Sequence, residues 1–264
     1  MPSPSRSSNT ATTTFHPGPR LRLPARGPVA LAFVGVAAAA WAAHALLGSH
    51  GVGHHGALDR PGPVAFTGTL GGWVLMSTAM MLPAALPLVA MLQRLVDGDA
   101  LRMQFTVAMA AIVAFIAPWA LVGLAAVVFD AGLHGLAHRF GIDTHTTDIP
   151  LGVALLVAGT VQFSPLTRRC LDACRSPEGF LLQSWRGAHH VQDSLRVGWG
   201  YGLSCVGCCW ALMLVCFALG ATSAVVMVSA TVVMAAERLV RQARPVASVI
   251  GAAALVGGLL VLFP

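Results

Sequence analysis

Charged side chains are scarce in this sequence. Asp, Glu, Lys and Arg account for 10% of its 264 residues, whereas 56% of the residues are hydrophobic. Such a chain has too few charges to solvate a water-soluble globule of its size, so several membrane-spanning helices are expected. Lysine is absent, and every basic residue is an arginine. Because the arginines mostly flank apolar runs, the pI of about 9.6 reflects membrane topology and predicts no nucleic-acid partner.

Motifs for nucleotide-driven or hydrolytic chemistry are also absent. The sequence contains no Walker loop, Rossmann glycine fingerprint, GxSxG elbow or HExxH metalloprotease motif. Six cysteines in a chain this long and this apolar do not form a secreted disulfide scaffold. Any transport would therefore be passive, driven by exchange or coupled through a partner, and an enzymatic role is the less favoured interpretation.

The apolar runs predict an all-α fold, a polytopic bundle of about seven transmembrane helices. The predicted spans are residues 29–47, 67–92, 104–129, 149–166, 198–219, 224–237 and 246–263. Residues 1–28 are rich in Ser, Thr and Pro, which predicts a disordered cytoplasmic tail before a helical domain over 29–264. The first run could instead be a signal peptide, but its length favours an uncleaved span.

The distribution of arginine predicts the orientation of these spans. With the amino terminus inside the cell, only Arg60 and Arg139 would lie outside. This bias agrees with the positive-inside rule for membrane proteins. The sequence therefore predicts a multi-pass protein of the inner (cytoplasmic) membrane, in contact with the lipid bilayer, whose carboxyl terminus lies outside.

Four of the six cysteines lie in the fifth predicted span, in the run YGLSCVGCCWALMLVCFALG. On a helix, Cys205, Cys209, Met213 and Cys216 share one face, with Cys208 beside them. Thiolate and thioether sulfurs are soft ligands that select Cu(I), zinc or iron–sulfur clusters over hard cations. Packing is the alternative, since free cysteine and methionine also serve as apolar residues. Metal or redox chemistry is favoured for the three clustered cysteines, and packing for Cys216.

The second predicted span carries another group of soft ligands. Met76 and Met80 share a helix face, and Met81 is adjacent. Pro83 and Pro87 each remove an amide donor, which predicts a bend near the middle of the membrane and room for a ligand. These methionines could face the cysteines of span five if the two helices pack together, or they could line an ordinary apolar surface.

The polar segment 167–197 contains the two remaining cysteines. Cys170 and Cys174 lie four residues apart, as one helical face requires, and are predicted on the inner side. We predict that these two thiols form a pair that exchanges metal with the cysteines of span five. Glu237 and Arg238, at the inner end of span six, are expected to form a local ion pair, although the carboxylate could also accept protons released by metal binding.

Histidines near the outer ends of spans one and three predict a second, weaker metal site. His50 with His54, and His134 with His138, have the i, i+4 spacing that can present two imidazoles to one metal. The alternative is that these side chains are simply solvated in polar loops. With the inner cysteines, the histidines would form a transfer path ordered by increasing ligand softness.

Three motifs together resemble one known family. They are Trp73-x-x-Met76-x-x-Ala79-Met80-Met81-x-Pro83-x-x-x-Pro87, then Gln162 to Pro165 with Leu166, Cys170, Leu171, Cys174, Arg175 and Pro177, and finally Tyr201-Gly202-x-x-Cys205-x-Gly207-Cys208-Cys209-Trp210-x-Leu212-Met213. Over about residues 70–245 this pattern is similar to the DUF2182 family of predicted metal-binding integral membrane proteins, which is associated with copper chaperones that serve copper oxidases such as tyrosinase. Arginine replaces the family's lysine at Arg168 or Arg169 and at Arg238, which keeps the charge.

The resemblance implies copper as the metal and a copper-dependent oxidase as the recipient. The predicted function is therefore to hold Cu(I), with zinc as a possible alternative, and to supply it to a copper enzyme. The predicted ligands are Cys205, Cys208, Cys209, Met213, Met76, Met80 and Met81, with Cys170 and Cys174 as the exchange pair. The alternatives are a membrane thiol oxidoreductase that uses the same cysteines and a non-catalytic accessory subunit.

Overall fold

The computed structural model describes residues 28–49, 63–140, 148–219, 224–239 and 243–263, and the predicted amino-terminal tail lies almost wholly outside them. These residues form α1 (Pro28–Ser49), α2 (Pro63–Leu95), α3 (Leu101–Phe140), α4 (Asp148–Gln162), α5 (Pro165–Arg175), α6 (Pro177–Ser184), α7 (His190–Ala218), α8 (Ala224–Leu239) and α9 (Ala243–Leu262). The described ranges contain no strand, so the predicted all-α fold is confirmed.

Four of these helices are long and apolar enough to cross a membrane. They are Phe66–Leu95 in α2, Leu101–Leu133 in α3, His190–Ala218 in α7 and Pro245–Leu262 in α9, and the bent pair of α4 and α5 could add a fifth. The predicted count of seven spans is therefore wrong for the part of the chain that the structure describes. Helix α8 has only 16 residues, and a crossing needs about 17 or more. The described apolar stretch of α1, Leu31–Leu46, is similarly short.

The predicted fourth span is broken near its end. Helix α4 stops at Gln162, and α5 starts at Pro165 after a bend of 72°. Ser164 caps the new helix, because its hydroxyl accepts a hydrogen bond from the amide of Leu166 at 3.2 Å. After the bend α5 packs against α7 and buries one face, including Leu171 and Cys174. A segment predicted as a polar connection thus becomes part of the core.

Helices α3 and α7 approach each other closely because two glycines of α7 face α3. A Cβ atom at Gly198 would lie 2.2 Å from the carbonyl oxygen of Ala111. A Cβ atom at Gly202 would lie 2.6 Å from that of Phe115. Small residues spaced four apart allow such backbone contact between apolar helices. This contact sets the position of α7, the helix that carries four of the cysteines.

Helix α2 continues through both of its internal prolines, Pro83 and Pro87. Pro83 has no amide hydrogen and therefore cannot bond to the carbonyl oxygen of Ala79, one turn earlier. The indole nitrogen of Trp41, in α1, donates a hydrogen bond to that oxygen at 3.0 Å. The carbonyl group that proline frees is thus used to attach α1 to α2.

This pairing predicts a coupled effect on stability. Trp41→Phe should lower the free energy of unfolding by about 1–2 kcal/mol, because the carbonyl of Ala79 loses its donor. In a Pro83→Ala background the same change should cost less, since the restored amide can bond that carbonyl. Unfolding of the four proteins of this double-mutant cycle, purified in detergent, measures the difference. Equal costs in both backgrounds would show that the indole stabilises only by packing.

Candidate metal-binding site

Sulfur atoms from three helices meet in the core of the bundle. They belong to Met81 of α2, Cys174 of α5, and Cys205, Cys208 and Cys209 of α7. We call these five residues the sulfur cluster. None of the five side chains is more than 5% exposed. The cysteine face predicted from the helical period of span five therefore points into the protein.

The separations between these sulfur atoms suit a shared soft metal ion. The Sδ atom of Met81 lies 3.8 Å from Sγ of Cys205 and 4.0 Å from Sγ of Cys209. The Sγ atoms of Cys174 and Cys208 are 3.8 Å apart. Two sulfurs bound tetrahedrally to one metal, with bonds of about 2.3 Å, are about 3.8 Å apart. The donor types and their spacing therefore both fit a soft ion.

The sulfur cluster is not a preformed site of the conventional kind. Among the described residues, no three His, Cys, Asp or Glu side chains are arranged to hold a metal ion. The sulfur of Met81 supplies the contact that joins Cys205 to Cys209, and Cys174 reaches the cluster through Cys208. A bound metal would therefore need the thioether, or a small rotation of the thiols.

Backbone contacts position the thiols within α7. The thiols of Cys208 and Cys209 both donate to the carbonyl oxygen of Cys205, at 3.1 and 3.0 Å. One turn earlier, the hydroxyl of Tyr201 donates to the carbonyl of Cys174 at 2.9 Å and lies 3.3 Å from that of Ala84. Tyr201 therefore links α7 to both α5 and α2, the two other helices that contribute sulfur.

A guanidinium group lies among the sulfurs. The Nη2 atom of Arg238, in α8, is 3.0 Å from Sγ of Cys205. The same nitrogen is 3.7 Å from Sγ of Cys208, 3.6 Å from Sγ of Cys209 and 3.9 Å from Sδ of Met81. Three helices, α2, α7 and α8, thus meet at this point, which carries a positive charge.

The sequence-based interpretation missed this role of Arg238. The expected local ion pair with Glu237 is not formed among the described residues, and Glu237 instead accepts a hydrogen bond from the side-chain amide of Gln162 in α4. Adjacent residues on a helix do not face each other, so the two charges point to different neighbours. The adjacent positions of Glu237 and Arg238 could have indicated that their side chains point in different directions. They could not indicate which residues each side chain contacts.

The structure places the remaining predicted inner ligands near the sulfur cluster but describes no sulfur–sulfur contact that joins them to it. Met76, Met80 and Met213 are buried in the same core, with exposures of 0%, 4% and 0%, and their roles as ligands stay predictions. Cys170 is half-buried beside α7, where a Cβ atom at Gly207 would lie 2.5 Å from its sulfur. Of the two cysteines predicted to exchange metal, Cys174 therefore belongs to the sulfur cluster, whereas Cys170 lies beside α7 outside it.

The predicted outer histidine site falls outside what the structure describes. His50 and His54 lie beyond the described residues. His134 and His138 belong to α3, but their side chains are not among those described. The outer site therefore stays a prediction from sequence spacing.

The fold and the sulfur cluster together define a class: an all-α protein with several helices apolar enough to cross a membrane and a buried group of soft ligands. Residues 70–261 match the PpoB2 family, described as a copper chaperone. The chain belongs to this family of copper chaperones. No curated protein and no solved structure matches it. The resemblance to copper-chaperone proteins is thus confirmed at the level of the family.

Proposed function

We propose that this protein is an integral membrane chaperone that binds Cu(I) at the sulfur cluster and passes it to a copper enzyme. One observation carries the proposal: the thioether of Met81 lies within 4.0 Å of the thiols of Cys205 and Cys209 in a buried position. Cu(I) is a soft ion that prefers such ligands. The family supports copper as the cargo, and the donor set supports its reduced form over zinc.

Burial of the cluster suits a chaperone because it separates the ion from water. An ion that enters a site of low dielectric constant loses its hydration, and direct bonds to sulfur must compensate for that loss. Cysteine ligands bind as thiolates, so loading would release protons. Cys174 and Cys170, at the edge of the cluster, are suited to accept the ion by ligand exchange on its way to a recipient.

The membrane location is supported by the outward faces of the helices. Large apolar side chains lie on the surface, among them Phe129, Val225 and Leu260, which are 69%, 78% and 66% exposed. Lipid can cover such faces, whereas water solvates them poorly. We therefore propose that residues 29–264 form the membrane domain, in the inner membrane, with the amino terminus inside as the arginine distribution predicts.

The chemistry of the cargo defines the recipient that we propose. It is a copper-dependent oxidase that accepts Cu(I) by ligand exchange from the thiols of the cluster. The transfer requires no nucleotide, which agrees with the lack of nucleotide motifs in the sequence.

Metal loading of the purified full-length protein tests the proposal. After incubation with excess Cu(I) or Zn²⁺ under reducing conditions and removal of loose metal by a weak chelator, we expect stoichiometric copper and little zinc. Thioether sulfur contributes to this preference, because it is a soft ligand that suits Cu(I) better than zinc. Folded protein that retains no copper would refute the function.

A thiol oxidoreductase is the second candidate, and one contact favours it. The Sγ atoms of Cys174 and Cys208, at 3.8 Å, are close enough to form a disulfide after a small side-chain rotation. If the metal-loading experiment gives copper-free protein while Cys174→Ser traps a mixed disulfide through Cys208, this candidate replaces the first.

A further inference from the structure

The guanidinium of Arg238 is surrounded by sulfur atoms, whereas in an ordinary ion pair it would contact a carboxylate. Its Nη2 atom is surrounded by four sulfur atoms at 3.0 to 3.9 Å. A single NH₂ group has two hydrogens and can form at most two well-aligned hydrogen bonds, so it cannot bond equally to all four sulfurs. The arrangement is therefore best described as sulfur ligands gathered around a positive charge, which is how they would also surround a metal ion.

Arg238 cannot share that position with a metal. A metal bound to Cys205 and Cys209 would lie about 2.3 Å from each sulfur. Nη2 is 3.0 and 3.6 Å from the same two atoms, so a metal bound on the same side of the two thiols would be in contact with the guanidinium. Guanidinium stays protonated in proteins and has no lone pair to offer a metal, so it can neither become neutral nor act as a ligand. The guanidinium must therefore withdraw before a metal binds on that side of the thiols.

We propose that Arg238 is an internal placeholder for the metal. The inference rests on the proposed copper-binding function and concerns the control of the same site. In the metal-free protein the guanidinium holds the sulfur cluster together through its N–H groups, which lie against the sulfur atoms. Copper loading requires its withdrawal, and its return displaces the ion toward a recipient.

The position of Arg238 in α8 suits such a movement. It is the next-to-last residue of the helix, and part of its long side chain is exposed although Nη2 lies among buried sulfur atoms. Its neighbour Glu237 points elsewhere and bonds to Gln162, which attaches the end of α8 to α4. The arginine side chain can therefore swing away while the helix keeps its place.

Affinity for Cu(I) tests the inference, measured by competition with a chromogenic Cu(I) chelator on the full-length protein. Arg238→Gln should bind Cu(I) more tightly than wild type, on the order of tenfold, because the metal no longer has to displace a competitor. Arg238→Lys keeps the charge and should stay near wild type. Arg168→Gln removes the same charge from an exposed position on α5 and should change affinity less than about twofold.

Chemical modification of wild-type protein gives an independent measurement that needs no variant to fold. A glyoxal reagent, with sites mapped by mass spectrometry, should modify Arg238 faster after Cu(I) loading, while Arg168 reacts at an unchanged rate. Equal or slower reaction of Arg238 on loading would refute the placeholder. An Arg238→Gln protein that binds Cu(I) no more tightly than wild type would also refute it. In both cases, Cu(I) binding by the wild-type protein would still support the proposed copper function. If wild type and all variants fail to bind copper, the proposed function falls together with this inference.

Discussion

Replacing Cys205 and Cys209 together by serine is expected to abolish stoichiometric Cu(I) binding. These two thiols are the ones that contact the thioether of Met81, at 3.8 and 4.0 Å. A serine hydroxyl is a hard, neutral oxygen ligand that Cu(I) binds poorly. Loss of outer-shell partners alone typically weakens metal binding by 10–100-fold, so loss of two direct ligands should exceed roughly 100-fold. Chelator competition on the purified protein measures the change.

Cys216→Ser is the matched control for this experiment. Cys216 lies in the same helix and is equally buried, at 2% exposure, but no contact of its sulfur with the sulfur cluster is described. It should retain wild-type copper binding. Far-ultraviolet circular dichroism and thermal unfolding would confirm that both proteins are folded. Unchanged affinity in the double variant, or equal loss in the control, would show that the cluster is only packing.

Gly198→Ala is expected to destabilise the protein more than alanine at any other glycine of α7. The new Cβ atom would lie 2.2 Å from the backbone oxygen of Ala111, an atom that cannot move without shifting α3. Overpacking of this kind costs about 1–3 kcal/mol or more. Because α7 carries the cysteines, a shift of this helix should also weaken Cu(I) binding. Denaturant unfolding in detergent and chelator competition measure the two effects.

Gly200 provides the control within the same three-glycine run. A Cβ atom there would lie 3.4 Å from the ring of Phe180, a side chain that can adjust. Gly200→Ala should therefore be neutral or stabilising by up to about 1 kcal/mol, since alanine favours helix over glycine. If Gly198→Ala and Gly200→Ala have the same stability, the close approach of α3 and α7 is not a constraint on the fold.

The residues of α7 show how much of the site sequence periodicity could predict. The spacing of Cys205 and Cys209 predicted one buried face, and both are buried. The proximity of the methionine motif was also predicted, but Met81 makes the contacts, whereas Met76 and Met80 shared the favoured face. Helical period gives the angle between residues of one helix. It cannot give the rotation of one helix relative to another, which side-chain packing sets.

The count of spans shows a different limit. Hydropathy finds apolar runs, but α8 and the described apolar part of α1 are too short to cross alone. The break after Gln162 was not predicted, although Ser164 and Pro165 form a recognisable helix start. An apolar run indicates that a segment is shielded from water. It does not say whether lipid or protein covers it.

By itself, the sequence determined the class of fold, the soft sulfur chemistry of the candidate site and the helix face on which the thiols of α7 lie. These properties depend on composition and on the period of a single helix, so they are local. Only the tertiary structure decided that Cys174 joins the cluster, that Met81 reaches it, and that the guanidinium of Arg238 lies at its centre. These contacts join residues from 29 to 157 positions apart. They depend on how separate helices pack, which no local pattern encodes.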